Sequence, residues 1–432
     1  MLKLSPSIPV YDGGVIAPML YNAGPMIADD RAGVTDEDCL MQLVSQTNEA
    51  EFKAYLAKLD SAGFKVIFEN HTDAADAAQL KKDGLLLYVL YTKLTGEVRI
   101  FEDRASSELP SYGYSCEGDG VEVYQFGLYY DPQNRDTDKT MNCGMLYIIR
   151  LADNSLIMID GAHRYQCTAA MIETLYAFLR RITGTVEGEK IRIAGWYITH
   201  AHSDHMAAGV RLLRAYPGVF KIERVMFNFL SYSVKRQEPD IYILKETLRE
   251  FCPDVKMLKM HAGQRFSLGN AEFEVLYTHE DAVKPECADR FPLADYNCTS
   301  TILKMAAGGM SVMWLGDTNL ETEALTIHTI PREMWKADVV QVAHHCFNFL
   351  STLYEWIDAD YALMPNSYFG SHTPENTPKL ADVIAHLASP DNIWYEEVTT
   401  GIYLEKGEFK VFLEEAQVGG ESDGIDLYGC KA

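Results

Sequence analysis

The pattern of hydrophobic and polar residues predicts a small α+β unit in the first hundred residues. Apolar side chains recur every three or four positions over 49–62, which is typical of an amphipathic helix, and Gly63 ends that helix. Strands are predicted at 65–69, 85–92 and 97–102, and a second helix at 74–82. The prolines at positions 6, 9, 18 and 25 predict an irregular segment over 1–30.

From residue 121 onward the pattern changes to strands that arrive in groups, with helices between the groups. The predicted strands are 122–129, 145–151, 156–159, 191–199, 300–305, 311–315, 339–343 and 361–364, with a hairpin over 264–278. The predicted helices are 168–182, 206–215, 242–251 and 378–387. This grouping is typical of sheets covered by outer helices. We therefore expect an N-terminal α+β extension over 1–120, a main α/β domain over 121–418 and a flexible tail over 419–432.

The chain is strongly acidic, which bears on its partners. Its 432 residues include 38 lysines and arginines against 62 aspartates and glutamates, a net charge of −24. Affinity for a phosphate backbone comes from Lys and Arg, so a long nucleic acid is an unexpected partner. No apolar run approaches the about 18 residues of a membrane helix, and the first residues do not resemble a secretory signal. The nine cysteines form no CxxC pair, which fits reduced thiols and predicts a cytoplasmic protein.

The chemistry of the chain is concentrated in one loop. His200, His202, Asp204 and His205 lie within six positions, directly after an apolar strand and before an amphipathic helix. A sharp strand-to-helix loop can direct all four side chains into one cleft. Imidazole nitrogens and a carboxylate are the ligands that zinc and iron prefer, and so many polar groups are costly to bury unpaired. Because the chain has only 12 histidines, a solvated loop that is rich in histidine by chance is the weaker interpretation.

This HxHxDH pattern resembles the signature of the metallo-β-lactamase-fold hydrolases, and further motifs of that family follow in order. Asp160-Gly161, Gly316-Asp317 and His344-His345 each close a predicted strand, as the first, fourth and fifth motifs of the family do. The resemblance extends over 121–410. It implies an α/β fold of the αββα sandwich type, in which two facing mixed sheets carry outer helices and metals sit at one edge between the sheets.

Carried over position by position, the resemblance implies two neighbouring metal sites. The implied ligands are His200 and His202 for the first ion, Asp204, His205 and His345 for the second, and Asp317 between the two. His344 is the alternative to His345, and whichever of the pair is not a ligand is expected to serve the substrate. Asp160 is expected to orient a ligand through a hydrogen bond. The implied cofactor is one or two divalent ions, with zinc expected and manganese or iron as alternatives.

One motif departs from the common pattern. Asn297-Cys298-Thr299-Ser300 stands where most of the family has a third-motif histidine, and this form resembles the branch of DNA-uptake competence nucleases and phosphorylcholine esterases. That branch suggests His372, within the segment 368–374, as a group that binds a substrate phosphate or protonates a leaving group. The alternative for His372 is a histidine on a surface loop.

Four further residues near the motifs are candidates for the site. His279, at a predicted strand end, either replaces the missing third-motif ligand or is structural, and without a replacement the first metal site would be weak or empty. Asn297 is expected to lie beside the ligands. Cys298 and Cys346 flank the predicted site, and either could bind zinc as a thiolate, although buried structural thiols are more common.

Together the motifs predict a metal-dependent hydrolase that uses a metal-activated water. The expected substrate is a phosphodiester or a related phosphoester of modest size. The candidate catalytic residues are Asp204, His344 and His372. Hydrolysis of a carboxylic ester, thioester or lactam is the enzymatic alternative, because the same metal site can attack those bonds. A binding or regulatory protein with a degenerate site is the alternative of another class. The expected partner is a small substrate, without a membrane.

Overall fold

The structure of the chain is a computed structural model. It describes residues 3–25, 38–104, 106–110, 120–128, 144–164, 166–230, 240–285, 293, 296–387, 390–397, 399–405 and 408–414. The predicted tail at 419–432 lies outside the described residues, as do Cys116, Cys143, Cys287 and Cys430. The five described cysteines are buried, and no disulfide joins them.

A seven-stranded antiparallel sheet and one helix form the N-terminal part. Its strands are β1 Val15–Ile16, β2 Tyr21–Pro25, β3 Asp38–Ser45, β4 Lys65–His71, β5 Ala75–Lys82, β6 Leu85–Thr92 and β7 Glu97–Asp103, in the order β1-β3-β7-β6-β5-β4 with β2 beside β3. Helix α1 (Glu49–Ser61) begins at Asn48, whose side-chain oxygen accepts a hydrogen bond from the Glu51 N–H. Phe52, Tyr55 and Leu59 of α1 pack on one face of the sheet.

The prediction of a helix at 74–82 is wrong, because this segment is strand β5. It pairs with β4 on one side and with β6 on the other over almost its whole length. Ala78 and Leu80 pack under α1, whereas Ala75 and Ala77 pack against the rest of the chain. Because both faces of β5 are covered, its sequence does not alternate between apolar and polar residues. Pairing with two neighbouring strands outweighs the helix propensity of its alanines and lysines. The expected irregular segment over 1–30 also contains the short strands β1 and β2.

Two mixed sheets form the main part of the chain. The first, of nine strands, comprises β8 Val121–Gln125, β9 Leu146–Arg150, β10 Leu156–Asp160, β11 Ile191–Tyr197, β12 Phe220–Ile222, β13 Arg224–Phe227, β14 Lys256–Lys259, β22 Thr399–Glu405 and β23 Glu408–Glu414. The second, of seven strands, comprises β15 Arg265–Leu268, β16 Ala271–Tyr277, β17 Ile302–Ala307, β18 Met310–Trp314, β19 Val339–Gln341, β20 Tyr361–Met364 and β21 Ile393–Tyr395. Their orders are β14-β13-β11-β10-β9-β8-β22-β23, with β12 beside β11, and β15 to β21 consecutively.

Helices cover the outer faces of both sheets. They are α2 Ala169–Thr183, α3 Ala207–Ala215, α4 Asp240–Phe251, α5 Leu320–Thr329, α6 Ser351–Ile357, α7 Tyr368–Ser371 and α8 Thr377–His386. One hydrophobic cluster lies between the two sheets, a second joins the first sheet to α2, α3 and α4, and a third joins the second sheet to α6 and α8. The predicted αββα class is therefore confirmed. Among the described residues, no helix is both long enough and apolar enough to cross a membrane.

The N-terminal sheet packs directly against the main part of the chain. Tyr88 donates a hydrogen bond to the carbonyl of Ala262 (2.7 Å), and Asn70 donates one to the carbonyl of Gly263 (2.9 Å). Both acceptors lie in the turn after β14. Residues of the N-terminal sheet and of the first mixed sheet share one hydrophobic cluster. The division at residue 120 stays a prediction, but the two parts share a buried contact surface.

Candidate metal centre

The predicted ligands lie at strand ends that meet at one edge of the two sheets. The loop after β11 carries His200 to His205 and continues through a short 3₁₀ turn (Ser203–His205) into α3. Gly316 and Asp317 follow β18, and His344 and His345 follow β19 in a second 3₁₀ turn. Because β18 and β19 run parallel, their carboxyl ends present these side chains at the same edge.

Four of the predicted ligands form one compact group. One ligand atom from each of Asp204, His205, Asp317 and His345 lies within 4.8 Å of the others. His205 Nε2 and His345 Nε2 are each 3.5 Å from Asp317 Oδ2, and His345 Nε2 is 3.3 Å from Asp204 Oδ2. Of the two adjacent histidines, the structure therefore brings His345 into the group. The role of each residue as a ligand stays a prediction, although the distances suit it.

A second group shares Asp317 with the first. It consists of His200, His202 and Asp317, with His200 Nε2 3.7 Å from Asp317 Oδ2 and 3.0 Å from His202 Nδ1. It contains three protein donors, against four in the first group. Whether the first metal site is weak or empty for want of a third histidine stays a prediction.

Buried atoms without a hydrogen-bond partner test whether these residues fit a metal ion. His205 Nε2, His345 Nε2 and Asp317 Oδ1 are buried, and none makes a hydrogen bond. The other ring nitrogen of each histidine is held, since His205 Nδ1 donates to Asp160 Oδ2 (2.7 Å) and His345 Nδ1 donates to the carbonyl of Pro365 (3.0 Å). In its neutral form each imidazole therefore carries its proton on Nδ1 and directs its Nε2 lone pair into the group. Unsatisfied buried donors and acceptors are costly, so this set fits a divalent cation.

The electrostatics of the group favour positive charge. Burial disfavours a proton on His205, but the carboxylates of Asp160, Asp317 and Asp204 outweigh it and raise the pKa of His205 well above its usual range. Burial likewise opposes the charged form of Asp317, yet the surrounding histidines, His345 first, lower its pKa well below its usual range. His200 differs, because burial lowers its pKa. A field that favours a proton at this point also favours a metal cation.

Asp160 is hydrogen-bonded to the first residues of the histidine loop and to His205. It is fully buried, accepts hydrogen bonds from the Thr199 N–H (2.8 Å) and hydroxyl (2.9 Å), and accepts one from His205 Nδ1 (2.7 Å). The third of these bonds fixes the tautomer and the orientation of His205. The hydrogen bond from the Thr199 N–H to Asp160 holds the backbone in place at the start of the histidine loop.

Replacing Asp160 with asparagine should weaken metal binding about 10- to 100-fold. The amide keeps the acceptor for the Thr199 N–H but turns an N–H toward His205 Nδ1. The imidazole then carries its proton on Nε2, which cannot bind a metal. Competition with a chromogenic chelator measures the affinity, and thermal unfolding of the metal-free variant controls for its fold. Unchanged affinity in a folded variant would show that Asp160 does not orient His205.

Several residues at the site have left-handed backbone angles. Asp160, His344, His345 and Cys346 have φ values of 58°, 47°, 51° and 63°. Such angles cost free energy in residues other than glycine and are concentrated at functional sites.

Gly316, with φ of 56°, has no room for a side chain, since a Cβ would lie 2.9 Å from Thr199 Cβ and 3.0 Å from Ser300 Cβ.

Asn297 lies beside the ligands, as expected. Its side-chain nitrogen is 3.2 Å from His344 Nε2, and His344 Nδ1 is 2.7 Å from the side-chain nitrogen of Asn348. His344 Nε2 is also 3.8 Å from Asp317 Oδ2, and its side chain is 21% exposed. His344 therefore lies at the solvent-facing rim of the group.

His279 and His372 are not brought into either group. His279 is buried outside both groups, with Nε2 2.8 Å from Asn228 Oδ1 and Nδ1 3.1 Å from the Tyr21 hydroxyl. His372 is exposed, stacks on the ring of Tyr368 (3.9 Å between centroids) and is bonded to the Tyr368 carbonyl. The geometry favours the structural alternative for His279 and the surface-loop alternative for His372.

The two flanking cysteines also lie outside the groups. Cys298 is buried and interacts with Asn319 and Glu321, and Cys346 is buried beneath the second 3₁₀ turn. Burial raises the pKa of Cys346 to about 12. Their surroundings suit structural thiols.

Residues that the sequence does not single out complete the support. The Asp317 N–H donates to Ser300 Oγ (2.9 Å), which gives the Asn-x-x-Ser motif a structural role. Gln341 accepts from the N–H groups of Leu315 and Gly316 (both 2.8 Å) and donates to the Gly316 carbonyl. Gln341 is the last residue of β19, three positions before His344, and only its closeness to a motif could have drawn attention to it.

Comparison with known proteins gives structural similarity at low sequence identity. No family model and no curated protein matches the chain. YhfI from Bacillus subtilis, a metallo-β-lactamase-fold protein, is similar over 68% of this chain and 100% of its own, with 14% identity and a TM-score of 0.38. Zn²⁺-bound PqqB from Methylobacterium extorquens is similar over 64% and 99%, with 10% identity and a TM-score of 0.36. Tm1679, a metal-dependent hydrolase of the β-lactamase superfamily, is similar over 68% and 100%, with 10% identity and a TM-score of 0.35.

Proposed function

We propose that this protein is a metal-dependent hydrolase of the metallo-β-lactamase superfamily that cleaves a phosphodiester or related phosphoester of modest size. One observation carries the hydrolase proposal. His205 Nε2, His345 Nε2 and Asp317 Oδ1 are buried without hydrogen bonds, in a group whose ligand atoms lie within 4.8 Å of one another. The ordered motifs support membership of the superfamily.

Each residue of the two groups has a proposed role in binding the ions or in proton transfer. Asp204, His205, Asp317 and His345 would hold one divalent ion, and His200 and His202, together with Asp317, a second. A bound ion lowers the pKa of a water toward about 7 and polarises the oxygen of the scissile group. Asp204 has the most exposed side chain of its group, at 15%, and would accept the proton of the attacking water. His205 and His345 keep their Nε2 lone pairs directed inward throughout.

His344 and Asn297 face the position of the substrate. His344 lies at the rim of the group, and the Asn297 amide is 3.2 Å from its Nε2. Both side chains can donate hydrogen bonds, which suits the anionic oxygens of a phosphoester. His372 would reach the leaving group only if its loop moved, because its ring now stacks on Tyr368. The net charge of −24 favours a small substrate over a long polyanion.

A panel of chromogenic substrates tests the proposed reaction. Metal-free protein should be inactive and should regain activity with zinc, manganese or ferrous iron, with phosphodiesters cleaved faster than phosphomonoesters or carboxylic esters. Faster cleavage of a carboxylic ester, thioester or lactam would contradict the proposed substrate class and leave the metal site intact. No hydrolysis with any ion would contradict the enzyme itself and favour a binding protein.

The same reconstitution counts the ions. The group with four protein donors should fill first, because the group of His200, His202 and Asp317 offers only three. Activity that follows the first equivalent alone would assign the reaction to one ion. Activity that appears only with the second equivalent would contradict the assignment of the reaction to the first ion alone.

A further inference from the structure

A second buried cluster lies between the N-terminal sheet and the main part of the chain. One ligand atom from each of Cys39, Asp103 and His261 lies within 4.8 Å of the others, and all three residues are buried. Cys39 on β3 and Asp103 at the end of β7 are directly paired across the two strands. His261 follows β14 of the first mixed sheet, so the cluster joins residues from two separate sheets.

Hydrogen bonds fix the imidazole of His261 in this cluster. Its Nε2 is 3.0 Å from Asp103 Oδ2, and its Nδ1 is 2.8 Å from Glu280 Oε2. The ring lies between Tyr88 and Phe101, with centroid distances of 5.0 and 4.1 Å. One nitrogen thus faces a carboxylate outside the cluster, and the other faces Asp103 within it.

Two buried carboxylate oxygens, one within the cluster and one on the neighbouring Glu280, make no hydrogen bond. They are Asp103 Oδ1 and Glu280 Oε1, in side chains that are 1% exposed. Glu280 is also 3.9 Å from the ammonium group of Lys259, which offsets its charge. Asp103 has no such cationic partner besides His261 among the ion pairs of the described residues. A buried carboxylate oxygen that accepts no hydrogen bond is costly, and a cation bound beside it would offset that cost.

We propose that Cys39, Asp103 and His261 bind a structural zinc-class divalent ion that fastens the N-terminal sheet to the main part of the chain. Thiolate, imidazole and carboxylate are zinc ligands, and a second oxygen of Asp103 or a water would provide the fourth ligand. Binding would release two protons to solvent, the thiol proton of Cys39 and the proton that His261 Nε2 now shares with Asp103 Oδ2. Glu280 accepts the Nδ1 proton of His261, which is the usual outer partner of a metal-bound histidine. The charges of Cys39 and Asp103 balance the ion, and Lys259 balances Glu280. The burial of all three ligands suits a structural site.

Cobalt substitution distinguishes this site from the candidate metal centre. A cobalt ion bound by a thiolate absorbs in the near ultraviolet by charge transfer, whereas the proposed ligands at the metal centre are only nitrogens and oxygens. The full-length protein, freed of metal and titrated with Co²⁺, should develop this band, and at saturation the band should correspond to one thiolate-bound cobalt per chain. Cys39→Ser should abolish the band, and the matched variants Cys298→Ser and Cys346→Ser should keep it.

The wild-type titration alone can overturn the proposal, whether or not a variant folds. Absence of the band in wild-type protein would mean that the cluster is instead a histidine held between two carboxylates. A band that survives in Cys39→Ser and disappears in Cys298→Ser or Cys346→Ser would also overturn it. Asp317→Asn should keep the band and lose hydrolysis, so failure of the proposed function and failure of this site are separate results.

Discussion

Replacing Asp317 with asparagine should lower hydrolysis about 10³-fold and leave the fold intact. The Nε2 atoms of four histidines lie 3.5 to 3.8 Å from Asp317 Oδ2, so this carboxylate is shared by both ligand groups. The amide keeps the shape but removes the charge that holds the ions. Polarisation by a bound ion contributes several kcal/mol, and about 4 kcal/mol corresponds to about 10³-fold. The value of kcat/KM on the cleaved substrate and the metal content of the protein measure the effect.

A matched substitution elsewhere controls for the removal of a charge. Asp358 forms an exposed ion pair with Lys336, and an exposed pair contributes little to stability. Asp358→Asn should therefore keep both activity and metal. If Asp317→Asn also kept the activity and the metal content of the wild type, Asp317 would not be a shared ligand. A variant that lost metal but kept activity would separate the metal from the reaction.

Replacing Gly209 with alanine should destabilise the protein by about 2 kcal/mol, the cost of overpacking a core. Alanine normally stabilises a helix interior by up to about 1 kcal/mol relative to glycine, so the expected sign is reversed. A Cβ at position 209 would lie 2.2 Å from Trp196 Cζ2, in a fully buried indole. Trp196 Nε1 also donates to the Asp160 carbonyl (3.0 Å), so displacing the indole disturbs the support of the histidine loop. Urea unfolding measures the change.

A double variant identifies the cause of that loss. Trp196→Phe removes indole atoms from the region that the new methyl group needs. In this background Gly209→Ala should therefore cost clearly less than in the wild-type protein, as a coupled pair requires. A gain of stability in the single variant would contradict the account, and so would an equal loss in both backgrounds.

The candidate site could be predicted from the sequence where its ligands are local. His200, His202, Asp204 and His205 share one loop, and a strand before them and a helix after them are both readable from the hydrophobic pattern. The choice between His344 and His345 could not be predicted. Both residues have left-handed backbone angles, so an alternation rule for strand residues fails there, and only coordinates show which side chain points inward.

The rest of the chain could not be predicted because its contacts are distant in sequence. Strand β5 contains helix-forming residues, and its pairing with β4 and β6 decides its structure. No motif surrounds His261, so the sequence indicates only an ordinary core or surface residue at this position. Its two carboxylate partners, Asp103 and Glu280, lie 158 and 19 positions away in the chain. His279 likewise gains its partners from distant segments, at Tyr21 and Asn228.

Anomalous diffraction from crystals of the zinc-loaded protein tests the central claim most directly. The account predicts a zinc peak at bonding distance, about 2.0 to 2.2 Å, from His205 Nε2, His345 Nε2 and an oxygen of Asp317. Those are the side chains whose buried atoms now lack hydrogen bonds. Zinc-loaded crystals of active protein with no peak between these side chains would contradict the account.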